Sequence, residues 1–80
     1  MREVEFPKIT EYLAFLEMKQ TGKTKRVAVH SLRTQEVLGA IQWYGPWRQY
    51  CFFPLRQTIW NVGCLRDVQA VIQELMEARK

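Results

Sequence analysis

Seven of the ten aromatic residues of this 80-residue chain lie between positions 43 and 60. They surround Gly45 and Pro46, a pair that favours a tight turn because glycine has wide backbone freedom and proline fixes its own φ. A chain of this length forms one domain at most. A sheet with one helix on one face can hide only about half of such rings. The others must contact a ligand, a partner chain or water.

Alternating apolar residues and β-branched residues predict strands, and Pro54 ends the last of them because it lacks an N–H for the ladder. The segment 11–19 fits either a helix or a strand, and the turn residues after it favour a strand in a hairpin. A short edge strand over 57–60 is a further expectation. The clearer predicted strands cover residues 26–32, 37–43 and 48–53.

The end of the chain, over residues 63–79, has the clearest helical pattern, with one apolar stripe at helical spacing. The stripe consists of Leu65, Val68, Ile72, Leu75 and Met76. Strands followed by a helix predict the α+β class. We therefore expect a single domain over 1–80: a loosely ordered lead-in over 1–10, then an antiparallel β-meander of three to five strands over 11–60. The C-terminal helix packs on one face of this sheet.

Positive charge is concentrated in the middle of the chain. Between Lys19 and Arg66 there are eight basic residues and one acidic residue, Glu36, whereas the two flanks hold four basic and seven acidic residues. This asymmetry points to an anionic partner for the central strands. The alternative is that the cations protect exposed strands against edge pairing.

The aromatic hairpin provides the candidate binding residues. Successive side chains of a strand point to opposite faces. If Trp43, Cys51 and Phe53 face the helix, the other residues of the returning strand lie on the uncovered side. Those residues are Arg48, Tyr50 and Phe52. Rings beside a cation can stack on bases and contact phosphate. The predicted ligand-binding set is Arg48, Tyr50, Trp47, Tyr44, Arg33, Lys25 and Arg26.

An enzyme is not expected. His30 is the sole histidine, and the acidic residues show no spacing typical of acid–base or metal sites. We therefore predict no catalytic residues, no metal site and no cofactor. Cys51 and Cys64 are expected to be reduced thiols. The N-terminal residues do not resemble a signal peptide, and no apolar run is long enough to cross a membrane, so a cytoplasmic location without membrane contact is expected.

The segments 38–54 and 63–68 carry a recurring pattern: a Leu-Gly-x-Ile-x-Trp strand, a Trp-Arg-x-Tyr-x-Phe-x-Pro return and a Cys-Leu-x-Asp helix start. With this pattern the chain resembles a group of small uncharacterised proteins of phages, prophages and bacteria, over roughly residues 24–76. The resemblance implies a compact β-meander with a helix, a strand over 11–19 and an origin in a mobile element. It implies no activity.

Two functions follow as hypotheses. In the first, the chain is a non-enzymatic binding module for a nucleotide-containing anion, either nucleic acid or a signalling nucleotide, and inhibits a host system in the host cytoplasm. In the second, its aromatic face is buried against another chain, either a host protein or a second copy in a homodimer, because aromatic residues and arginine are favoured at interface centres.

Overall fold

Five antiparallel strands form one sheet in chain order, and a C-terminal helix packs on one side of it. This computed structural model describes residues 4–18 and 22–79. The elements are β1 (Lys8–Ile9), β2 (Leu13–Met18), β3 (Arg26–Ser31), β4 (Val37–Tyr44), β5 (Gln49–Pro54) and α1 (Val62–Ala78). The predicted α+β class, a meander with a helix on one face, is confirmed.

The core lies between α1 and one face of the sheet. The strands contribute side chains from alternate positions, and α1 contributes the buried part of its apolar stripe, Val68, Val71 and Leu75. The strand residues of this core are Leu13, Phe15, Val27, Val29, Ile41 and Tyr50. Phe15 is the largest of the side chains that have almost no exposed surface. One layer of apolar contacts therefore stabilises the whole sheet.

The turn between β4 and β5 sets which aromatic side chains enter this core. A 3-10 turn over Gly45–Trp47 and a left-handed Arg48 connect the strands, so that Tyr44 pairs with Gln49. Trp43 then lies opposite Tyr50, and Ile41 lies opposite Phe52. Residues directly opposite each other point to the same face. Tyr50 and Phe52 therefore lie on the helix side together with Trp43.

This register corrects the predicted faces of the returning strand. Phe52 packs against the core, and Tyr50 belongs to it with 4% of its surface exposed. Cys51 and Phe53 lie on the other face, since their strand partners are Gln42 and Ala40. The expected exposed row of Arg48, Tyr50 and Phe52 is therefore wrong.

The N-terminal segment takes part in the fold. Val4 is buried in the core with 7% of its surface exposed, and β1 pairs with β2 through Lys8 and Phe15. The Lys8 Nζ also forms an ion pair with the Glu74 carboxylate of α1, at 2.9 Å. The predicted loosely ordered lead-in over 1–10 thus needs correction for residues 4–9, while residues 1–3 lie outside the described residues.

The strand predictions for residues 11–19 and 57–60 had opposite outcomes. The strand prediction for 11–19 is confirmed over β2. Lys19 and Thr21, the first residue of the predicted turn Thr21-Gly22-Lys23, lie outside the described residues. Residues 57–60 form no strand. Instead, the Trp60 ring packs edge-on against Phe52, with centroids 4.7 Å apart. The chain between β5 and α1 therefore covers one end of the core rather than extending the sheet.

Helix α1 begins at Val62, one residue before the predicted start, because Asn61 caps it. The Cys64 backbone N–H donates to Asn61 Oδ1 at 2.8 Å, which satisfies one of the amides that have no partner within the helix.

Replacing Asn61 by alanine should lower the free energy of unfolding by about 1 kcal/mol, because this cap is lost. The Asn61→Asp variant is the matched control: its carboxylate can accept the same hydrogen bond, and negative charge is favoured at a helix N-terminus. Urea denaturation of the three proteins measures the effect. Equal stability of the alanine and aspartate variants would contradict the capping role.

Candidate binding surface

The sheet face that points away from α1 is called the open face below. Strand alternation and register define its members, none of which belongs to the core cluster or to the side chains packed against it. The members from β2 to β5 are Ala14, Leu16, Met18, Arg26, Ala28, His30, Val37, Ala40, Gln42, Tyr44, Gln49, Cys51 and Phe53. More than half of them are apolar or aromatic, and none is acidic. The open face is thus an apolar surface with a basic bias.

Small residues occupy the middle of the open face and large ones its sides. Ala28 and Ala40 are direct partners on neighbouring strands, with Leu16 at one end of this row and Phe53 at the other. Leu16 is 40% exposed and Phe53 is 36% exposed. The short alanine side chains leave a shallow trough between these larger residues.

An aromatic cluster occupies the turn end of the open face. The Tyr44 ring contacts Trp47 edge-on, with centroids 5.1 Å apart, and lies 6.1 Å from the Phe53 ring. Trp47 is 66% exposed even so. Together with Cys51 and Phe52, these three rings line a shallow depression of about 260 Å³. A surface of this kind suits an apolar or aromatic group of a binding partner.

Two of the predicted cations, Arg26 and Arg48, lie at the same end of the open face. Arg26 begins β3 opposite Gln42, and Arg48 is exposed in the turn after Trp47 with φ at 53°. That left-handed conformation is uncommon for a residue with a side chain. Lys25 is partly neutralised by an ion pair with Glu17 at 2.9 Å. Among residues 4–18 and 22–79, Arg26 and Arg48 have no acidic partner within ion-pair distance.

Tyr50 has a structural role in the core. Its hydroxyl oxygen accepts a hydrogen bond from the Lys25 backbone N–H at 3.1 Å, and its ring packs edge-on against Trp43 at 5.3 Å. The Arg79 guanidinium lies over the Trp43 ring, 4.0 Å from the ring centroid. The backbone N–H of Tyr50 donates to Met76 Sδ at 3.4 Å. Tyr50 therefore connects the sheet edge, the turn before β3 and α1.

Replacing Tyr50 by phenylalanine should reduce the free energy of unfolding by about 1 kcal/mol, because the Lys25 amide loses its acceptor. Tyr44→Phe is the control, since the Tyr44 hydroxyl has no hydrogen bond to the described residues. Chemical denaturation followed by tryptophan fluorescence measures both variants. A larger loss for Tyr44→Phe would show that this assignment of the two tyrosines is wrong.

Arg33 is separated from the other predicted site residues. It lies between β3 and β4, whereas Trp47 follows the far end of the eight-residue β4, roughly 25 Å along the strand. Arg33 lines a different depression, of about 550 Å³, with Tyr12, Asn61 and Cys64 among its neighbours. A hydrogen bond with Glu11 and the charge of that carboxylate raise the pKa of the Tyr12 hydroxyl. The structure thus places Tyr44, Trp47, Arg48 and Arg26 at the turn end of the open face. Lys25 lies instead with Tyr50 on the helix side, because its ion-pair partner Glu17 is opposite the core residue Val27. Arg33 is at the other end of β4.

Sequence reasoning missed the apolar part of the open face. Leu16, Ala28, Ala40 and Phe53 were not among the predicted site residues, although strand alternation places the first three on one face once the pairing is known. Phe53 was expected on the helix side. The missing information was the register of the aromatic hairpin, because a slip of one residue exchanges the two faces.

Other kinds of site have little support in the described part of the chain. No group of three or more His, Cys, Asp or Glu side chains within residues 4–18 and 22–79 is arranged to hold a metal ion. Cys51 and Cys64 are not joined by a disulfide. Over the same residues, the structure has no helix with the length and hydropathy of a membrane span.

Comparison with known proteins gives one informative match. The chain is 38% identical over 74 residues to the uncharacterized 9.3 kDa protein of Acholeplasma phage L2, in an alignment that covers 91% of this chain and 95% of the phage protein. No protein-family model matches the chain, and no solved structure matches it significantly. The similarity to a phage protein extends over nearly the full length of both chains. This chain therefore belongs to the family of the uncharacterized 9.3 kDa phage protein.

Proposed function

We propose that this protein is a non-catalytic binding module of phage origin that attaches to a host protein through its open face. The observation that carries the proposal is the uncovered apolar surface opposite α1. Leu16, Phe53 and Trp47 expose 40%, 36% and 66% of their surfaces on or beside it. Contiguous apolar patches on a small protein are typical of interaction sites.

The composition of this surface supports a protein partner. Trp47 contacts Tyr44 at one end of the open face, and the exposed Arg48 follows Trp47 in the chain. Tryptophan, tyrosine and arginine are the residue types that most often dominate binding energy. The apolar row from Leu16 to Phe53 extends this cluster across four strands. An extended apolar surface with a rigid aromatic cluster suits a protein better than a small ligand.

A nucleotide-containing anion is the second candidate, and the exposed indole of Trp47 beside Arg48 favours it. A ring and a guanidinium in this position can stack on a base and contact a phosphate. Two residues of the set that the sequence predicts for this role are not available for it, because Tyr50 is buried and Arg33 lies at the other end of β4. The cations that remain at the turn end of the open face are Arg26 and Arg48, because Lys25 is paired with Glu17 on the helix side.

Photo-crosslinking tests the proposal. The variant Phe53→p-benzoylphenylalanine places a photoreactive group on the open face, and Leu65→p-benzoylphenylalanine places it on the half-exposed side of α1. Each purified protein is irradiated in an Acholeplasma cell extract. We expect discrete protein adducts from position 53 that excess wild-type protein suppresses, and none of these adducts from position 65.

The other outcomes discriminate between the candidate functions. Adducts from position 53 that disappear after nuclease treatment would overturn the protein partner in favour of nucleic acid. Adducts with the mass of two copies of this chain would show a homodimer instead. The same adducts from both positions would show that the open face is not the binding surface.

A further inference from the structure

The open face has the shape of a groove that suits a helix. Ala28 and Ala40 are direct partners on β3 and β4 and form the floor of the trough. Leu16 on β2 and Phe53 on β5 form its two sides. A depression of about 380 Å³ adjoins the trough at Leu16 and is also lined by Ala14 and His30. The depression beside Trp47 adjoins it at Phe53. Helices in grooves insert side chains of one apolar stripe into such depressions. The trough runs along β3, whose six residues span roughly 20 Å, which corresponds to a helix of about 13 residues.

The charges of the open face indicate which charged residues a bound helix would carry. Arg26 lies on the face and Arg48 at its aromatic end, and among the described residues neither has an acidic neighbour within ion-pair distance. No member of the open face is acidic. Complementary charge directs association and excludes partners with like charge. Acidic residues beside the apolar stripe of a bound helix would be attracted to both arginines.

The same features disfavour a second copy as the occupant. Two open faces packed together would bring Arg26 against a surface that has no acidic residue, and the chain carries a net charge of +4. The flat part of the sheet measures roughly 19 by 20 Å, or roughly 400 Å², which is about half of what each partner of a standard stable interface buries. A helix lying in the trough also contacts its sides at Leu16 and Phe53.

We infer that the open face binds an amphipathic helix of another protein whose apolar stripe is flanked by aspartate and glutamate. This inference rests on the proposed function, because it specifies the partner of the same surface. The juxtaposition that carries it is an alanine-floored trough with Arg26 and Arg48 at one end and no acidic residue along it.

A peptide selection tests the inference. The probe is a library of helical peptides of about 14 residues, with a constant apolar stripe and randomised flanking positions. It is selected on the immobilised full-length protein. We expect Asp and Glu to exceed Lys and Arg about fivefold in the flanks of the selected peptides. Arg26→Glu should weaken binding of these peptides about tenfold and should itself select basic flanks.

Arg66→Glu is the matched control. It makes the same charge change at an exposed position of α1, which lies on the other side of the sheet, and should leave the preference for acidic flanks unchanged. Equal loss of binding in Arg26→Glu and Arg66→Glu would show that the net charge of the chain alone determines binding, and would overturn the inference.

Further outcomes separate this inference from the proposed function. Selected peptides that require Leu16 and Phe53 but show no acidic excess would overturn the acidic partner and leave docking on the open face intact. Peptides that bind equally well to a Leu16→Asn, Phe53→Ser double variant, or an empty selection, would overturn both. Displacement of the peptides by single-stranded oligothymidylate, stronger than by acidic peptide, would assign the surface to nucleic acid.

Discussion

Replacing Phe15 by alanine should lower the free energy of unfolding by about 3–5 kcal/mol. Phe15 is fully buried and lies at the centre of the layer between β2, β3 and α1. Truncation removes its apolar contacts and leaves a cavity that the pleated sheet cannot close. A domain of this size has about 4–12 kcal/mol of total stability, so a large part of the population would unfold.

Ile59→Ala is the control for this experiment. Ile59 is also a large apolar residue but is 95% exposed, so its truncation should change stability by about 0.5 kcal/mol or less. Urea denaturation followed by circular dichroism measures both variants. Similar losses for Phe15→Ala and Ile59→Ala would contradict a core confined to the helix side of the sheet.

The second large effect is expected at Gly39. A Cβ atom at this position would lie 2.7 Å from the Phe53 carbonyl oxygen and 2.8 Å from the Phe52 ring. The carbonyl belongs to the backbone of β5, so the contact can be relieved only by moving two strands apart. Gly39→Ala should therefore lower the free energy of unfolding by about 2–3 kcal/mol, as other overpacking substitutions do.

Gly22→Ala provides the comparison, because a Cβ atom at Gly22 would meet nothing within 4 Å. Its effect should be near zero or slightly stabilising, since alanine restricts the unfolded chain. Differential scanning calorimetry of both variants is the measurement. A Gly39→Ala protein with the same melting temperature as Gly22→Ala would show that β4 and β5 do not approach each other as closely as described.

The local pattern of the sequence was sufficient to predict the α+β architecture. The stripe from Leu65 to Met76 predicts α1 because buried helical residues recur at a spacing of three or four. Turn residues after position 20 correctly favoured a strand for β2. Strand β1 was missed because two residues, Lys8 and Ile9, are too short to show an alternating pattern.

The sequence pattern could not predict which face of the sheet each aromatic side chain occupies. The expected grouping placed Trp43 with Cys51, whereas the structure pairs Trp43 with Tyr50, a difference of one residue. The number of residues in the turn decides this, and the turn includes Arg48 in a left-handed conformation that no local signal at an arginine predicts. Because the side-chain period of a strand is two, this small difference moves Tyr50 into the core and Phe53 out of it.

Under the proposed function, the two faces of the sheet have different tasks. Phe15, Ile41 and Tyr50 stabilise the fold against α1, whereas Leu16, Ala40 and Phe53 contribute little to the core and are available to a partner. Substitutions on the two faces should therefore separate stability from binding. This separation is a consequence of a two-layer fold with a single helix.

Binding through the open face is tested most directly with the host protein that crosslinks at position 53. Its dissociation constant is measured with the unmodified chain, with Trp47→Ala and with Leu65→Ala. Both residues are apolar and exposed, by 66% and 48%, but only Trp47 adjoins the open face. We predict binding about 30-fold weaker for Trp47→Ala, as for an interface hot spot, with no change for Leu65→Ala. Unchanged affinity in Trp47→Ala together with weaker binding in Leu65→Ala would contradict the account.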